Sequence, residues 1–488
     1  MKFASLTADA CYQAMKAHDV RFDGHFFVGV SSTGIYCRPI CRVRLPRQEN
    51  CSFHSSAAAA EAAGYRPCLR CRPELAPGFA ATEASVRLAR TAASLIEDGA
   101  GNAGIDGLAA RIGVSPRHLR RIFVDEFGVS PVQYAQTQRL LLAKRLLTDT
   151  VLPVADVAFA SGFASVRRMN ALFLERYSFS PGHLRKQGEP GISAAGDAIT
   201  LLLPYRPPYD FGALLEFLSA RTVPGVESVA DGAYRRIVRT PRGNALGWLE
   251  VTQVAERNAL CLRLDAGLAG ATQSILARTK RVFDVAADPV EIAEVLGPLA
   301  ATSGLRLPGA FDPFELALRA ILGQQVTVKA ARTLATRFVA AFGTEAASPF
   351  SELTRAFPSA ARVASLSRDE IAALGIVGSR ADAMIAVARA LESGTLQLDG
   401  SADVDAVVDA LCAIRGIGMW TARYVAMRAL AWPDAWLSGD VALSNALGLP
   451  KTAAGFKQAD AQAEQWRPWR SYAVLHLWRQ LASTKDLT

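Results

Sequence analysis

Long apolar runs and cysteines are scarce in this sequence, and acidic side chains are outnumbered by basic ones. No run of about 18 apolar residues occurs, so we expect no transmembrane helix. Residues 1–5 lack the apolar core of a signal peptide, and a cytoplasmic location is therefore expected. Only 8 of 488 residues are cysteine, which is too few for a disulfide scaffold. Half of the residues are hydrophobic, a composition that excludes a disordered chain.

The excess of basic side chains is concentrated in the first two-fifths of the chain. Residues 1–190 carry 24 Lys and Arg against 16 Asp and Glu, a net charge of +8, whereas the remaining 298 residues carry 30 against 29. This imbalance predicts a polyanion as the partner of the N-terminal part. At roughly 100–200 residues per domain, the length predicts about three to four domains.

Six of the eight cysteines fall in the first 71 residues, and four of them form two close pairs. The pairs are Cys37 with Cys41 and Cys68 with Cys71, separated by 26 residues. Two such pairs in a reducing compartment predict one tetrahedral zinc site with four thiolate ligands. Buried, unrelated cysteines are the alternative. Cys51 lies outside the pairs and is expected to be a buried small hydrophobe.

The segments around these pairs resemble the N-terminal zinc domain of the Ada alkylation-response family. The resemblance is carried by Thr-Gly-Ile-Tyr-Cys-Arg-Pro-Ile-Cys-Arg (33–42), Glu-Asn-Cys-Ser-Phe (49–53) and Ala-Ala-Gly-Tyr-Arg-Pro-Cys-Leu-Arg-Cys-Arg-Pro (62–73). It implies that one zinc-bound thiolate irreversibly takes a methyl group from a DNA methylphosphotriester. The matching position is Cys37, and the charge lost on methylation is expected to tighten DNA binding.

Arginine side chains crowd the two cysteine pairs. They are Arg38, Arg42, Arg44, Arg47, Arg66, Arg70 and Arg72. Such a cluster would partly offset the negative charge of a zinc tetrathiolate and hold a DNA phosphate nearby. Arg38, which follows Cys37, is the predicted DNA contact of this set. A solvated basic face is the alternative interpretation.

Residues 105–127 and 154–177 repeat one pattern of a helix, a glycine turn and a second helix. The turn glycines, Gly113 and Gly162, are 49 residues apart, and Ser115 is suited to cap the second helix of the first unit. A long helix near Val132–Leu147 is expected to join the two units. The repeat, which ends in Phe-Ser-Pro-Gly-His-Leu-Arg (179–185), resembles the AraC-type tandem helix-turn-helix domain. A helical bundle with a basic face is the alternative.

The second helix of each unit is expected to enter the major groove of DNA with its N-terminal residues at the base edges. Arg and His side chains there would contact guanine or phosphate. The predicted DNA-binding residues are Arg117, His118, Arg120 and Arg121 in the first unit and Arg167, Arg168 and Asn170 in the second. Residues 186–197 then have the composition of a linker.

The C-terminal part changes from strands to helices. Residues 198–265 favour strands with a helical piece near Phe211–Arg221, and from about Pro313 the pattern is helical. Gly416-Ile417-Gly418 resembles a helix-hairpin-helix, whose backbone amides, here those around Gly416 and Gly418, would bind a DNA phosphate. Asp440 follows Gly418 by 22 residues. This spacing resembles the glycosylase superfamily named for its helix-hairpin-helix, Gly/Pro-rich loop and aspartate. A helix N-cap is the other reading of Asp440, and the two are compatible.

A longer resemblance, to the AlkA-type 3-methyladenine glycosylases, covers residues 198–485. It is carried by residues 204–210, 305–315, 320–326 and 466–478. It implies an α+β domain of the TBP-like type followed by an all-α glycosylase domain. It also implies that Asp440 stabilises an oxocarbenium-like sugar, helps water attack, or both.

Trp420 stands where strand-nicking members of the superfamily carry a lysine, so a monofunctional enzyme that leaves an abasic site is expected. Trp420 and Tyr424 share a helix face, and Trp478 matches a third aromatic of the family's pocket. These rings are expected to bind flipped, positively charged bases such as 3-methyladenine or 7-methylguanine. The alternative is that they belong to the core. The family's apolar DNA wedge lies in the turn 323–326, where this sequence instead has Gln325.

The sequence therefore predicts a multidomain, mostly α-helical protein. Its parts are a small α/β zinc domain (1–78), an all-α tandem helix-turn-helix domain (82–186), an α+β TBP-like domain (198–300) and an all-α helix-hairpin-helix glycosylase domain (305–486). The predicted function is a methyl-switched transcriptional activator fused to an alkylbase glycosylase. It would bind one zinc ion, alkylated and promoter double-stranded DNA, and RNA polymerase, but no membrane.

Two other functions stay open at this point. In the first, the chain is a regulator with a degenerate glycosylase half. In the second, it is a repair enzyme whose helix-turn-helix units only add DNA affinity. The intact Asp440 with its aromatic neighbours argues against the first, and the doubled basic helices argue against the second. No repair of O6-methylguanine is expected, because the second methyltransferase domain of the Ada family is missing.

Overall fold

The computed structural model describes residues 7–76, 84–99, 104–187, 198–240, 245–399 and 403–485. These residues form the mostly helical, multidomain architecture that the sequence predicts, so the predicted fold class is confirmed. The four domain limits stay predictions, and most of the predicted linker 186–197 lies outside the described residues. In the part of the chain that is described, no helix is both long and apolar enough to span a bilayer.

The N-terminal region (7–76) is a four-stranded sheet with two helices. Its strands are β1 (Phe27–Val30), β2 (Ile35–Cys37), β3 (Cys51–His54) and β4 (Arg66–Pro67), and its helices are α1 (Ala8–Lys16) and α2 (Ala57–Ala62). The strand order is β3-β1-β2-β4, with β2 and β4 parallel and the other pairs antiparallel. Ser56 caps α2 by accepting a hydrogen bond from the backbone N–H of Ala59.

The helix-turn-helix region (84–187) has the repeat that the sequence predicts. Its helices are α3 (Ala84–Glu97), α4 (Gly104–Ile112), α5 (Pro116–Phe127), α6 (Pro131–Asp149), α7 (Val154–Ala160), α8 (Val166–Tyr177) and α9 (Pro181–Gln187). Gly113 and Gly162 make the two turns at φ values of 77° and 82°, which L side chains rarely adopt. Ser115 caps α5 and Ser165 caps α8, so the two second helices begin in the same way.

The sheet region (198–300) is an antiparallel five-stranded sheet with helices beside it. The strands are β5 (Ala198–Pro204), β6 (Glu227–Ala230), β7 (Ala233–Arg239), β8 (Leu246–Val254) and β9 (Ala259–Asp265), in the order β5-β9-β8-β7-β6. The helices are α10 (Phe211–Ser219), α11 (Thr272–Val282) and α12 (Pro289–Leu296). The helical piece predicted near Phe211–Arg221 is therefore confirmed as α10.

The C-terminal region (305–485) is helical apart from one short hairpin. The helices are α13 (Pro313–Leu322), α14 (Val328–Phe342), α15 (Ala360–Ala364), α16 (Arg368–Ala372), α17 (Gly378–Glu392), α18 (Val404–Cys412), α19 (Met419–Ala429), α20 (Val441–Ala446), α21 (Ala453–Ala463) and α22 (Arg470–Lys485). The hairpin, β10 (Thr344–Glu345) and β11 (Arg355–Ala356), departs from the all-α prediction. It forms because Leu353 and Ala356 pack against Ile237 and Trp248 of the sheet region.

One hydrophobic core joins the second helix-turn-helix unit to the five-stranded sheet. Leu146 of α6 and Phe173 of α8 belong to the same buried cluster as Leu201 and Leu203 of β5. Arg145 of α6, which is almost fully buried, also donates a hydrogen bond to the carbonyl of Leu202. The N-terminal and C-terminal halves are therefore packed together as well as connected along the chain.

Candidate functional sites

The four predicted zinc ligands lie together at the end of the parallel strand pair. Their sulfur atoms, from Cys37, Cys41, Cys68 and Cys71, are all within 4.8 Å of one another. The pairing of Tyr36 with Pro67 across β2 and β4 places the two ligand segments side by side. Zn–S bonds of about 2.3 Å in a tetrahedron space the sulfurs by roughly 3.8 Å, so the four thiolates fit one zinc ion.

Cys51 lies outside this cluster, as the sequence predicts. Its thiol donates to the carbonyl of Arg47 at 3.4 Å, and its side chain is only half-buried at the start of β3. The thiol is therefore less buried than we expected, although it packs against the same small apolar cluster as Phe26 and Val28.

Arg38 is part of the interior of the N-terminal region, which corrects the prediction that it contacts DNA. Its side chain is 6% exposed and pairs with Asp23, to which its Nε donates at 2.8 Å. Its backbone N–H donates to Cys71 Sγ at 3.3 Å, and its Nη1 donates to the Cys71 carbonyl at 3.2 Å. Arg38 therefore links the segment of Cys37 to that of Cys71. Its guanidinium is paired with Asp23 inside the protein rather than exposed for a DNA phosphate.

Five other arginines near the cluster point to solvent. They are Arg42, Arg44, Arg47, Arg66 and Arg70. Arg72 is instead held in ion pairs, 3.0 Å from Glu74 and 2.5 Å from Asp149 of α6. The exposed five, which we call the arginine rim, give the surface of the N-terminal region positive charge of the kind that binds DNA phosphate.

The predicted DNA-binding residues of the helix-turn-helix units lie at matching positions on α5 and α8. The exposed members are Arg117, Arg120, Arg121, Arg167, Arg168 and Asn170, and His118 is half-buried. Arg121 Nη2 lies 3.1 Å from His118 Nδ1. All seven residues fall in the N-terminal half of their helices, where side chains that enter a major groove must lie.

A buried carboxylate that the sequence analysis missed links the N-terminal region to the helix-turn-helix region. Glu61 of α2 accepts hydrogen bonds from Tyr36 at 3.0 Å, Tyr177 at 3.1 Å and Thr137 at 2.9 Å. Burial raises the pKa of Glu61 above its ordinary value, against the effect of these three hydroxyl donors. Tyr36 precedes Cys37, and Tyr177 is the last residue of α8, so Glu61 joins the strand β2 to the end of α8.

A second buried contact ties the other ligand segment to α6. Lys144 donates to Glu74 at 2.6 Å and to the carbonyl of Cys68 at 3.4 Å. Burial would raise the pKa of Glu74, but the charges of Lys144 and Arg72 outweigh it and hold the pKa below its ordinary value. Both ligand segments are thus attached to α6 or α8 through groups removed from water.

Asp440 occupies the N-cap of α20, and it also reaches a predicted pocket residue. Its Oδ1 accepts from the backbone N–H groups of Ala442 at 2.7 Å and Leu443 at 3.0 Å. Its Oδ2 accepts from the indole Nε1 of Trp420 at 3.0 Å. Asp440 is therefore a helix N-cap and also a lining residue of the pocket. The two interpretations of this residue are compatible in the structure.

Trp420, Tyr424 and Trp478 form one aromatic wall. The rings of Trp420 and Tyr424 stack with centroids 5.3 Å apart and planes 9° from parallel, and Trp478 lies 6.4 Å from Tyr424. All three side chains are half-buried, and together with Asp440 they line a cavity of about 650 Å³. The rings also pack against a neighbouring apolar core, so the pocket is built on the edge of that core.

Two arginines that the sequence did not indicate, Arg221 and Arg428, line the same cavity as Tyr424. Arg428 donates to the Tyr424 hydroxyl at 2.8 Å, and Arg221 stands 3.7 Å from the ring centroid of Phe217. Burial would raise the pKa of Tyr424, but the charges of Arg428 and Arg221 outweigh it and lower the pKa. Arg428 could have been found four residues after Tyr424 on the same helix, whereas Arg221 belongs to the sheet region and offered no sequence signal.

The predicted hairpin and the turn 323–326 touch each other. Gly416 has a φ of 94°, and Gly418 caps α19. Gln324 donates to the carbonyl of Gly416 at 2.9 Å, which ties the turn to the hairpin. Gln325 is exposed at a φ of 53°, and Val326 beside it is 37% exposed. The turn therefore presents both a polar and an apolar side chain next to the hairpin.

Comparison with known families accounts for most of the chain. Residues 10–74 match the metal binding domain of Ada, and residues 108–187 match a helix-turn-helix domain. Residues 200–312 match the AlkA N-terminal domain, and residues 318–459 match the HhH-GPD superfamily base excision DNA repair protein. The first of these matches, together with the four-sulfur cluster, confirms one zinc ion.

Three curated relatives cover the chain in whole or in part. The probable bifunctional transcriptional activator/DNA repair enzyme AlkA of Mycobacterium tuberculosis is 38% identical, over 97% of this chain and 96% of its own length. DNA-3-methyladenine glycosylase 2 of Escherichia coli is 38% identical over 57% of this chain and 95% of its own. The bifunctional transcriptional activator/DNA repair enzyme Ada of Escherichia coli is 39% identical, over 30% of this chain and 39% of its own length.

Loss of one ligand sulfur is expected to release the zinc. Full-length protein should contain one zinc ion per chain by plasma mass spectrometry. The zinc content of Cys41→Ser should fall below half of that value, because the binding free energy of roughly 10–16 kcal/mol comes from all four ligands and a serine hydroxyl is a much weaker ligand than a thiolate. The melting temperature should fall in parallel. Cys51→Ser is the matched control and should keep both its zinc and its stability. Equal zinc contents in the two variants would contradict the ligand set.

Proposed function

The chain belongs to the family of bifunctional transcriptional activators and DNA repair enzymes, and from that premise we propose two linked activities. The C-terminal half excises alkylated bases of the 3-methyladenine and 7-methylguanine class from double-stranded DNA. The N-terminal half takes a methyl group from a DNA methylphosphotriester and then activates transcription. The hydrogen bond from Trp420 to Asp440 is the observation that carries the first activity, and the four-sulfur cluster supports the second.

Asp440 is proposed to act on the sugar of the flipped nucleotide. As the bond from C1′ to the base nitrogen breaks, the base leaves with the electron pair and the sugar becomes positively charged. The Asp440 carboxylate is proposed to stabilise that charge and to guide a water molecule to C1′, where a new C–O bond forms and the water releases a proton to solvent. The two backbone amides and the Trp420 indole fix both carboxylate oxygens before the base arrives.

The product is proposed to be an abasic site without strand cleavage. Schiff-base chemistry needs an amine at the sugar, and Trp420 stands at the position where such a lysine would lie. Among the described residues that line the cavity there is no lysine. Water is therefore the nucleophile that remains.

The aromatic wall is proposed to select alkylated bases by their charge. A cationic purine placed against the stacked Trp420 and Tyr424 rings would be attracted to their electron-rich faces. Arg428 donates to the Tyr424 hydroxyl and lines the cavity together with Arg221, so the proposed selection rests on the ring faces rather than on the net charge of the cavity. A neutral purine gains only stacking, and this difference favours the damaged base.

Cys37 is proposed as the methyl acceptor of the N-terminal half. Bound zinc would keep its sulfur deprotonated and nucleophilic at neutral pH. A sulfur–carbon bond forms while the methyl carbon–oxygen bond of the phosphotriester breaks, leaving a phosphodiester anion on the DNA. Cys71 is the least buried of the four ligands, but its sulfur already accepts the N–H of Arg38, which lowers its nucleophilicity.

Methylation of Cys37 is proposed to increase the affinity for promoter DNA. The neutral thioether removes one negative charge from the four-sulfur cluster, so repulsion of DNA phosphate falls. Glu61 connects the strand that carries Cys37 to the end of the second recognition helix, which provides a route for the change to reach α8. We further propose RNA polymerase as the partner of the DNA-bound activator, and the cytoplasm as its location.

Replacing Asp440 by Asn should abolish base release but keep the fold. Single-turnover release of 3-methyladenine from methylated duplex DNA is expected to fall at least about 100-fold, because the amide cannot stabilise the sugar cation. DNA affinity should stay within about twofold of wild type. Asp409→Asn, on the exposed face of α18, is the matched control and should release bases normally. Equal release by the Asp440 variant and wild type would rule out its proposed role.

The methyl acceptor can be identified by mass. After exposure of the full chain to DNA carrying methylphosphotriesters, peptide mass spectrometry should find one added CH₂ unit (~14 Da) on Cys37. Cys51 in the same digest should stay unmodified, since it lies outside the cluster. A methyl group on Cys71 or another ligand would contradict the choice of Cys37.

The Glu61 link can be tested by removing one hydroxyl from it. Tyr177→Phe should reduce the gain in promoter affinity on methylation by about tenfold, the size expected for a hydrogen bond to a charged group. Methyl transfer itself should be unchanged. Tyr134→Phe is the matched control, because its buried hydroxyl donates to Glu97 within the helix-turn-helix region. The link is refuted if both variants respond to methylation like wild type.

A further inference from the structure

The loop that leads into Asp440 is held by a carboxylate from another helix. This loop, residues 436–440, lies between α19 and α20, and Asp460 of α21 reaches it with both oxygens. The Trp436 indole donates to Asp460 Oδ1 at 2.8 Å, and the Ser438 hydroxyl donates to Asp460 Oδ2 at 2.6 Å. Asp460 is about half-buried, so these bonds lie partly away from water.

A further hydrogen bond, from the helix α19, holds the same loop. Arg423 of α19 donates to the carbonyl of Trp436 at 3.3 Å. Trp436 itself is 4% exposed and packs against Trp466 with ring centroids 5.9 Å apart. The beginning of the loop is therefore anchored by Asp460, by packing and by the helix that also carries Trp420.

The residue before Asp440 at the end of the loop is a glycine, whose backbone has few steric restrictions. Gly439 separates Ser438 from Asp440 and takes a φ of 79°, with no atom within 4 Å of where a Cβ would lie. Glycine here allows many backbone directions, so its own conformation does not specify where the following carboxylate points. The backbone N–H of Asp440 donates to the carbonyl of Leu437 at 3.1 Å, so the loop closes over Gly439 and the position of its first residues restricts where α20 and the Asp440 carboxylate lie.

We propose that Asp460 is a positioning residue for Asp440. By holding Trp436 and Ser438, it sets the direction in which the chain enters α20 and thereby the distance from the Asp440 carboxylate to the sugar. The inference rests on the proposed role of Asp440 in base excision. It concerns the rate of the chemical step rather than the binding of DNA, because Asp460 touches neither the cavity lining nor the hairpin in the described residues.

A carboxylate suits this task better than a neutral side chain. It offers two acceptor oxygens to two donors, and hydrogen bonds to a charged acceptor are roughly twice as strong as neutral ones. A small displacement of a catalytic group lowers the rate steeply, since a shift of about 1 Å can cost on the order of 100-fold. Two bonds far from the reacting atoms are thus sufficient to affect turnover.

The test compares Asp460→Ala with Gln458→Ala, an exposed residue two positions earlier on α21. In single-turnover assays of full-length protein on methylated duplex DNA, we expect Asp460→Ala to release bases about tenfold more slowly. Its dissociation constant for the same duplex should stay within about twofold of wild type, whereas its melting temperature should fall by only a few degrees, because the loss of two hydrogen bonds costs on the order of 1–3 kcal/mol. The control variant should match wild type in all three measurements.

Ser438→Ala removes one of the two donors without touching Asp460. Its rate should fall by less than that of Asp460→Ala, and the double variant should be no slower than Asp460→Ala, because both changes break the same contact. Additive losses would overturn the proposal. So would an unchanged rate for Asp460→Ala, or a parallel loss of rate, affinity and stability, which marks a merely structural role. If wild type itself releases no methylated base, the proposed function fails instead.

Discussion

The hydrophobic core shared by the second helix-turn-helix unit and the five-stranded sheet sets the arrangement of the rest of the protein. Phe173 and Leu146 are fully buried in the same cluster as Leu201 and Leu203. Each square ångström of apolar surface removed from water contributes about 25 cal/mol, so separating these parts would expose the sheet at a large cost. The two halves of the chain therefore stabilise each other, and the DNA-reading helices cannot be regarded as a module loosely attached to an enzyme.

Buried or half-buried carboxylates supply the orientation that apolar packing does not. Glu61 and Glu74 hold the two zinc-ligand segments against the helix-turn-helix region, and each has its hydrogen bonds inside the protein. Asp440 and the loop before it are held in the same manner. Apolar surfaces can slide past one another at little cost, whereas an unpaired buried carboxylate is strongly unfavourable, so these contacts select one arrangement.

Much of each site could be predicted from short-range spacing. The two cysteine pairs, the repeated glycine turns and the i,i+4 pair of Trp420 and Tyr424 all occur in the structure as the spacing indicated. The prediction that Arg38 contacts DNA was wrong. Its place in the sequence next to a zinc ligand does not reveal that its side chain is buried in an ion pair with Asp23. Glu61 was missed for the same reason, since its partners lie up to 116 residues away.

The sequence by itself identified the zinc ligands, the doubled helix-turn-helix pattern and the aspartate at a helix N-terminus. Each is recognised from spacing over a few residues, because ligand pairs, turn glycines and helix caps have fixed local geometry, although β2–β4 pairing is needed to bring the two cysteine pairs together. Only the tertiary structure decided which arginines face solvent, which carboxylates are buried between regions, and that Arg428 and Arg221 line the cavity beside Tyr424. Burial and ion pairing follow from which surfaces meet, and that is set by the packing of the whole chain rather than by neighbours in sequence.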